Sequence, residues 1–310
     1  MDTTAFDTLA KTLVEAGIPP ENVLADEPMA NHTTFCVGGP ADAFVRARGA
    51  EDVTAARACA RAAGVPCRIL GRGSDVLVAD AGLRGVVVEV GPLMSGIKQV
   101  DETTLRVQAG ATNEQVAHAA LAAGLAGYEF ASGIPGTIGG AAIMNAGAYD
   151  GEFKDVATSV TCLFPDGTTR EVEAREAAWG YRHSMMGEAG LVVVAAILQL
   201  RPGDPAAIRA RMDDLAQRRA SKQPLELPSA GSTFKRPTGH FAGKLIQDSG
   251  MQGHQVGGAQ VSTKHAGFVV NTGGATAADV RQVVADVQQA VKAQFGVALE
   301  PEVKFWGFDD

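Results

Sequence analysis

Residues 132–150 read SGIPGTIGGAAIMNAGAYD, with five glycines among nineteen positions and alanines between them. Neither a helix nor a strand needs that composition. A backbone without side chains is useful where something must come close to it, either another stretch of backbone or a flat or phosphorylated ligand. Pro135 stiffens the centre, and Gly139-Gly140-Ala141-Ala142 is placed to open a short helix whose N-terminus can face an anion.

A second cluster, GRGSDVLV (Gly71–Val78), directly follows the strand-like CRIL. Its two glycines and serine offer a row of backbone N–H groups suited to a phosphate or pyrophosphate. The dinucleotide fingerprint GxGxxG fails here, because Val76 holds the third glycine's place and a strand follows instead of a helix. GHFAGKLI (Gly239–Ile246) has the outline of a P-loop, but its glycine spacing is one residue short and Leu245 follows Lys244. A single glycine cluster is ordinarily a tight turn. Two in one chain favour a large cofactor.

Length and composition frame these motifs. The 310 residues exceed what one hydrophobic core usually serves, so two or three packed units are expected. A net charge of -8 argues against a nucleic-acid partner while leaving room for a local basic pocket. Cys36, Cys59, Cys67 and Cys162 form no CxxC pair and show no metal-ligand spacing with histidine. They read as reduced, mostly buried thiols of a cytoplasmic protein, with no metal site. The opening MDTTAFDTLAKTLVEAG is acidic and amphipathic, unlike a signal peptide. The longest apolar run, Leu191–Leu198, is too short to span a bilayer, so no membrane partner is expected.

Periodicity predicts helix, strand, helix, strand over the first 70 or so residues, with CRIL a buried strand. VLVAD, GVVVEV and TLRVQAG read as strands. Thr112–Ala123 reads as a helix with a Thr112–Gln115 capping box and Gly124 just past its end. VATSVTCLFPDGTTREVE reads as a hairpin turning at Pro165-Asp166-Gly167, and LVVVAAILQL as a further strand. Helices follow over Asp204–Ala220 and Thr276–Phe295, then a last strand in EVKFW. Interleaved hairpins and helices make the class α+β, and RPGDP marks a break near Arg201–Asp204.

There is no HExxH and no GxSxG elbow, and the six histidines are scattered. Three further places carry polar groups in unusual settings. WGYRHS sets Arg182 between Tyr181 and His183, PSAGSTFKRP sets Ser232 in a small polar loop, and LEPEVKFWG sets Glu302 at the start of the last strand. Each also has a plain reading: a surface arginine, an N-cap-like serine, an edge-strand glutamate.

Taken in order, TTFCVGGPA, GRGSDVLV, GIPGTIGGAAIMNAGAYDG, YRHS, SAGSTFKRP, AGKLIQDSGMQGHQVGGAQVSTKHAGFVVN and EPEV resemble one family, the UDP-N-acetylenolpyruvoylglucosamine reductases. The likeness runs from Thr33 to Gly307, nearly the whole chain, and seven collinear motifs make it specific. It implies an FAD-binding fold of the vanillyl-alcohol-oxidase type. FAD-binding lobes are expected at 1–70 and 71–203, and a substrate-binding domain at 204–310. It implies FAD lying against Gly71, Arg72, Gly73, Ser74 and Asp75, and against Gly133, Ile134, Pro135, Gly136, Gly139, Gly140 and Asn145. NADPH is the implied co-substrate and UDP-N-acetylglucosamine enolpyruvate the implied substrate, handled by a monomer. Arg182, Ser232 and Glu302 match the family's catalytic residues, with Ser232 the proton donor. Tyr181, Lys222 and His265 match substrate-contacting positions.

The chain departs from the family pattern in places. Asp75 stands where the first cradle usually has asparagine, and Gln247 where an acid usually follows AGKLI. No extra tyrosine-bearing loop follows YRHS, which resembles the family's shorter type. Two other readings keep the glycine cradles. One is an oxidase of the same fold acting on a small alcohol. Such enzymes often tether FAD through a histidine near the first cradle, whereas here the nearest upstream is His32. The other is a non-catalytic FAD-binding module, which has no reason to keep Arg182, Ser232 and Glu302 in these contexts.

Overall fold

The chain folds in three parts, described over residues 3–308 in a computed structural model. The first part comprises helix α1 (Thr3–Glu15), strands β1 (Val23–Pro28) and β2 (Pro40–Arg46), helix α2 (Ala50–Ala62), and strands β3 (Cys67–Leu70), β4 (Val76–Val78) and β5 (Leu83–Glu89). Four of these strands make a sheet in the order β1-β2-β5-β3, antiparallel between β1 and β2 and parallel elsewhere. Sequence pattern foresees one strand between α1 and α2, and there are two. β1 escapes notice because VLADEP has no fully buried residue and so no alternation to read. CRIL is a strand, but only Leu70 in it is fully buried, because β3 lies at the sheet edge.

The second part runs through β6 (Ile97–Gln99), β7 (Thr104–Gln108), α3 (Asn113–Ala122), β8 (Leu125–Ala126), α4 (Ile138–Met144), β9 (Gly147–Ala148), β10 (Gly151–Glu152), β11 (Ala157–Leu163), β12 (Thr169–Glu173), α5 (Met185–Glu188), β13 (Val192–Gln199), β14 (Arg201–Pro202) and α6 (Pro205–Lys222). An antiparallel sheet, β12-β11-β13-β7-β6, forms its centre, with Val107, Val160, Cys162, Ala196 and Leu198 fully buried. α3 begins where the sequence signals it: the Thr112 hydroxyl accepts from Gln115 N–H, and the Gln115 side chain accepts from Thr112 N–H. Asp204 caps α6, with Pro205 at its first position.

The third part comprises β15 (Ser229–Ser232), α7 (Ala242–Asp248), β16 (Gln255–Val256), β17 (Ala259–Val261), β18 (Phe268–Asn271), α8 (Ala277–Phe295) and β19 (Lys304–Trp306). Its antiparallel sheet, β15-β18-β17-β16, packs against the valine stripe of α8 at 280, 283, 284, 287 and 291. β19 then leaves this domain and pairs in parallel with β4, Lys304 opposite Val76.

Strand pairing places the divisions differently from the pattern in the sequence. The first sheet continues past residue 70 to Glu89, because β5 is its inner strand. α6 begins past the break at RPGDP, yet Ile208 and Met212 are buried in a core shared with the second part. The break is itself a short ribbon, β14 on β8. Cys59 and Cys162 are buried free thiols, whereas Cys36 is exposed and Cys67 half-buried. Among the described residues no helix is long and apolar enough to cross a membrane.

Candidate active site

The two glycine-rich segments meet. A Cβ on Gly71 would lie 2.5 Å from Thr137 Oγ1, and one on Gly136 would lie 2.9 Å from Ser74 Oγ. The Ser74 hydroxyl donates to the Pro135 carbonyl at 3.4 Å. Much of the bareness therefore serves loop-on-loop packing. Gly73, in the left-handed region at φ 60, would set a Cβ 2.1 Å from the His32 carbonyl oxygen. Gly140 differs: it is exposed on the first turns of α4, and a Cβ there would meet nothing closer than 3.9 Å. Among the described residues, no backbone N–H of residues 72–75 donates to another backbone carbonyl. That leaves a row of donors beside an open glycine surface, which fits the diphosphate and flat rings of FAD. Asn145 does not present itself there. It is 1% exposed, left-handed at the end of α4, and its amide donates to Glu152 and to the Gly180 carbonyl.

Asn145 thereby anchors the turn that carries Arg182. Gly180 and His183 exchange backbone hydrogen bonds, leaving Tyr181 and Arg182 at the tip. Arg182 is held at φ 53, an uncommon conformation for a residue with a side chain. Its Nε donates to Glu302 Oε1 at 2.5 Å, closing a pair 120 residues apart in sequence. Glu302 is fixed from behind, its N–H donating to the Thr233 carbonyl at 2.8 Å. Ser232 immediately precedes Thr233. The β15–β18 register shifts between Ser229 and Ser232, and Gly231 takes φ 71 there, so the strand bulges and leaves Ser232 exposed.

Tyr181, Arg182, Ser232, His265 and Glu302 line one cleft of about 420 Å³ between the second and third parts. The Tyr181 hydroxyl accepts from Arg236 N–H at 3.1 Å. Burial holds the His265 imidazole below its ordinary pKa. With Nδ1 accepting from Gly267 N–H, the neutral ring carries its proton on Nε2. Glu302 is pushed above the usual carboxylate range by burial, with Arg182 opposing. Asp75 is pushed up to about 7, first by burial and then by the charge of Glu302, while Lys304, Arg182 and Lys235 pull the other way.

Lys222 lies exposed at the end of α6 and is not among the residues of the cleft wall. Sequence reasoning missed Arg236, Phe241, Lys244 and Lys264, which do line it. Only the fold reveals them: Phe241 is 63% exposed, with the Arg236 guanidinium 4.0 Å above its ring. Sequence reasoning also missed the role of Arg219. That side chain leaves the basic end of α6 to bury its guanidinium against Gly133, beside Tyr149.

Two family models match the chain. One is described as an FAD binding domain and spans residues 41–173. The other is the UDP-N-acetylenolpyruvoylglucosamine reductase C-terminal domain and spans residues 223–306. The UDP-N-acetylenolpyruvoylglucosamine reductase of Agathobacter rectalis is 46% identical, over 97% of this chain and 98% of its own. That of Clostridium perfringens is 48% identical, over 93% and 94%. The crystal structure of the reductase from Thermus caldophilus aligns with a TM-score of 0.77 at 33% identity, covering 92% of this chain and 98% of its own.

Proposed function

This chain belongs to the UDP-N-acetylenolpyruvoylglucosamine reductase family, and from that premise we propose how its residues divide the work. The enzyme is an FAD-dependent oxidoreductase. It reduces UDP-N-acetylglucosamine enolpyruvate to UDP-N-acetylmuramate in peptidoglycan precursor synthesis. NADPH is the hydride source in our reading. Bound FAD supplies the capacity to accept a hydride from NADPH and to pass it to the terminal carbon of the enolpyruvyl group.

The protein must then manage two charges. Adding hydride to the terminal carbon pushes the π electrons of the double bond into the carboxylate, giving an enolate. Arg182 is the cation for that charge, and a preorganised donor of this kind is worth roughly 10²–10³ in rate. Glu302 holds the Arg182 guanidinium through Nε and leaves its other N–H groups to the substrate. The enolate is completed by a proton on its α-carbon, for which the exposed hydroxyl of Ser232 is the donor. A serine is a weak acid, but an enolate carbon is basic enough to accept its proton when the hydroxyl is in reach. Tyr181 and His265 line the approach, and Lys222, exposed at the end of α6 and off the cleft wall, is assigned to the substrate on motif likeness alone. The glycine surface from Gly71 to Asp75 and from Gly133 to Gly140 is the seat for FAD. We place the folding units at about residues 1–92, 93–222 and 223–310, and the working enzyme as a cytoplasmic monomer. Its reactants are small and water-soluble, and the cleft is built within one chain.

The observation that carries this assignment is the meeting of Arg182, Glu302 and Ser232 on one cleft wall. Anaerobic stopped-flow absorbance near 450 nm tests it. NADPH should bleach the flavin, and the enolpyruvyl substrate should restore it. Ser232→Ala should bleach at nearly the normal rate and recover slower by a factor of about 10² or more. Equal loss in both phases would refute the role of Ser232.

A further inference from the structure

Two carboxyls, not one, stand at the end of the β4–β19 ladder. Asp75 immediately precedes β4 and Glu302 lies two residues before β19. The parallel pairing of Val76 with Lys304 brings these ends together. The Asp75 carbonyl accepts from Lys304 N–H at 2.9 Å, which fixes the backbone from which its side chain departs. We propose that Asp75 is a positioning residue for the reduction. It keeps the proton of a carboxyl pair with Glu302, so that Glu302 alone is ionised against Arg182. Loss of that proton closes the site to its anionic substrate. This rests on the functional reading given above.

The charges around the pair support a single proton. Arg182 faces it from the turn at 180–183, Lys235 from the segment after β15, and Lys304 from β19. Arg182 is engaged directly by Glu302. Lys235 is drawn aside by an ion pair with Glu300. The Arg182 guanidinium and the solvent-exposed Lys304 ammonium are left to serve two half-buried carboxyls, and because water screens the exposed lysine, ionising both is uphill. Burial and the charge of Glu302 set Asp75 at about 7, whereas Arg182 works against the rise in Glu302. Glu302 is therefore the first of the pair to ionise and Asp75 the second, the two titrating as a unit. Once Asp75 ionises, a second negative charge stands beside Arg182. That is the charge the substrate carboxylate and the developing enolate must displace.

The test is kcat/KM for UDP-N-acetylglucosamine enolpyruvate from pH 5.5 to 9, on FAD-loaded wild type and Asp75→Asn. The wild type should fall about tenfold per pH unit above roughly pH 7. Asp75→Asn, neutral at every pH, should lack that fall whatever its absolute rate. An active wild type without the fall, or a variant that keeps it, overturns the proposal. A wild type that binds FAD but never turns over this substrate instead refutes the functional reading. Carbon-13 labelling of aspartate carboxyls in the wild type needs no variant: one aspartate should titrate near pH 7. All of them titrating below about pH 5 would overturn the assignment. Thermal unfolding gives a linked check. A carboxyl whose pKa is raised by folding contributes stability that is complete below its ordinary range and is lost as pH rises through the folded value. Wild-type Tm should therefore drop against that of Asp75→Asn between about pH 4 and 7, the gap then levelling off.

Discussion

Arg182 pairs an unusual backbone with an unusual partner: φ 53 at the tip of a two-residue turn and a hydrogen bond to Glu302 from 120 residues away. Strain of this kind persists only where the surroundings over-determine it. Here Asn145 grips Gly180, and Glu302 grips the guanidinium. Arg182→Lys tests whether the fork is needed. Lysine keeps the charge but loses the planar fork that can hold Glu302 and a substrate carboxylate together. Recovery of the flavin by substrate should slow by about 10²–10³, with FAD content retained. A rate within threefold of wild type would show that charge alone suffices. Motif likeness made Arg182, Ser232 and Glu302 legible as types of residue. Nothing local showed that Asn145 turns inward or that Asp75 stands beside Glu302. Both facts depend on partners remote in the chain.

The helices were the easiest elements to read, because their signals are local. Thr112 with Gln115 and Thr276 with Asp279 close capping boxes, and Gly296 ends α8 in the left-handed region. The strands β1, β6 and β15 to β18 went unread because they are short, half-polar or bulged, so period two never emerges. The glycine segments yield a paired prediction. Gly140→Val adds bulk on an open surface, so the fold should hold while FAD content, read at 450 nm, falls severalfold. Gly73→Ala drives a Cβ into the His32 carbonyl at a positive φ, so it should cost about 1–3 kcal/mol of stability as well. If Gly140→Val retains full flavin, that surface is not the seat of the cofactor.

At the scale of the whole molecule, the third domain is held to the first by groups that sit far apart in the sequence. The Asp80 carboxylate accepts from Ala277 N–H at 2.8 Å and from Ala278 N–H at 2.9 Å, capping α8 from outside its own domain. The Asn271 amide donates to the Phe35 carbonyl at 3.1 Å, and β19 extends β4. Asp80→Ala should lower stability by about 1–2 kcal/mol and speed hydrogen exchange in the first turn of α8. An unchanged Tm would mean that the ladder and the apolar core alone dock the domain. Phe35, Val37 and Leu77 lie in the same buried core as the α8 valines, so docking continues a core already formed.

The α+β class, the main helices and their caps, the two glycine-rich segments and the candidate site residues can all be read from the chain without its fold. Each of these is a local property of spacing and side-chain chemistry. Long-range packing carries the first sheet past residue 70 through β5 and seats α6 in the core shared by the first two parts. It likewise decides that the glycine segments lean on each other and that the last strand returns to β4, setting Glu302 beside Arg182 and Asp75. These outcomes turn on which distant surfaces exclude water together and which remote polar groups satisfy one another. No window of neighbouring residues contains that information.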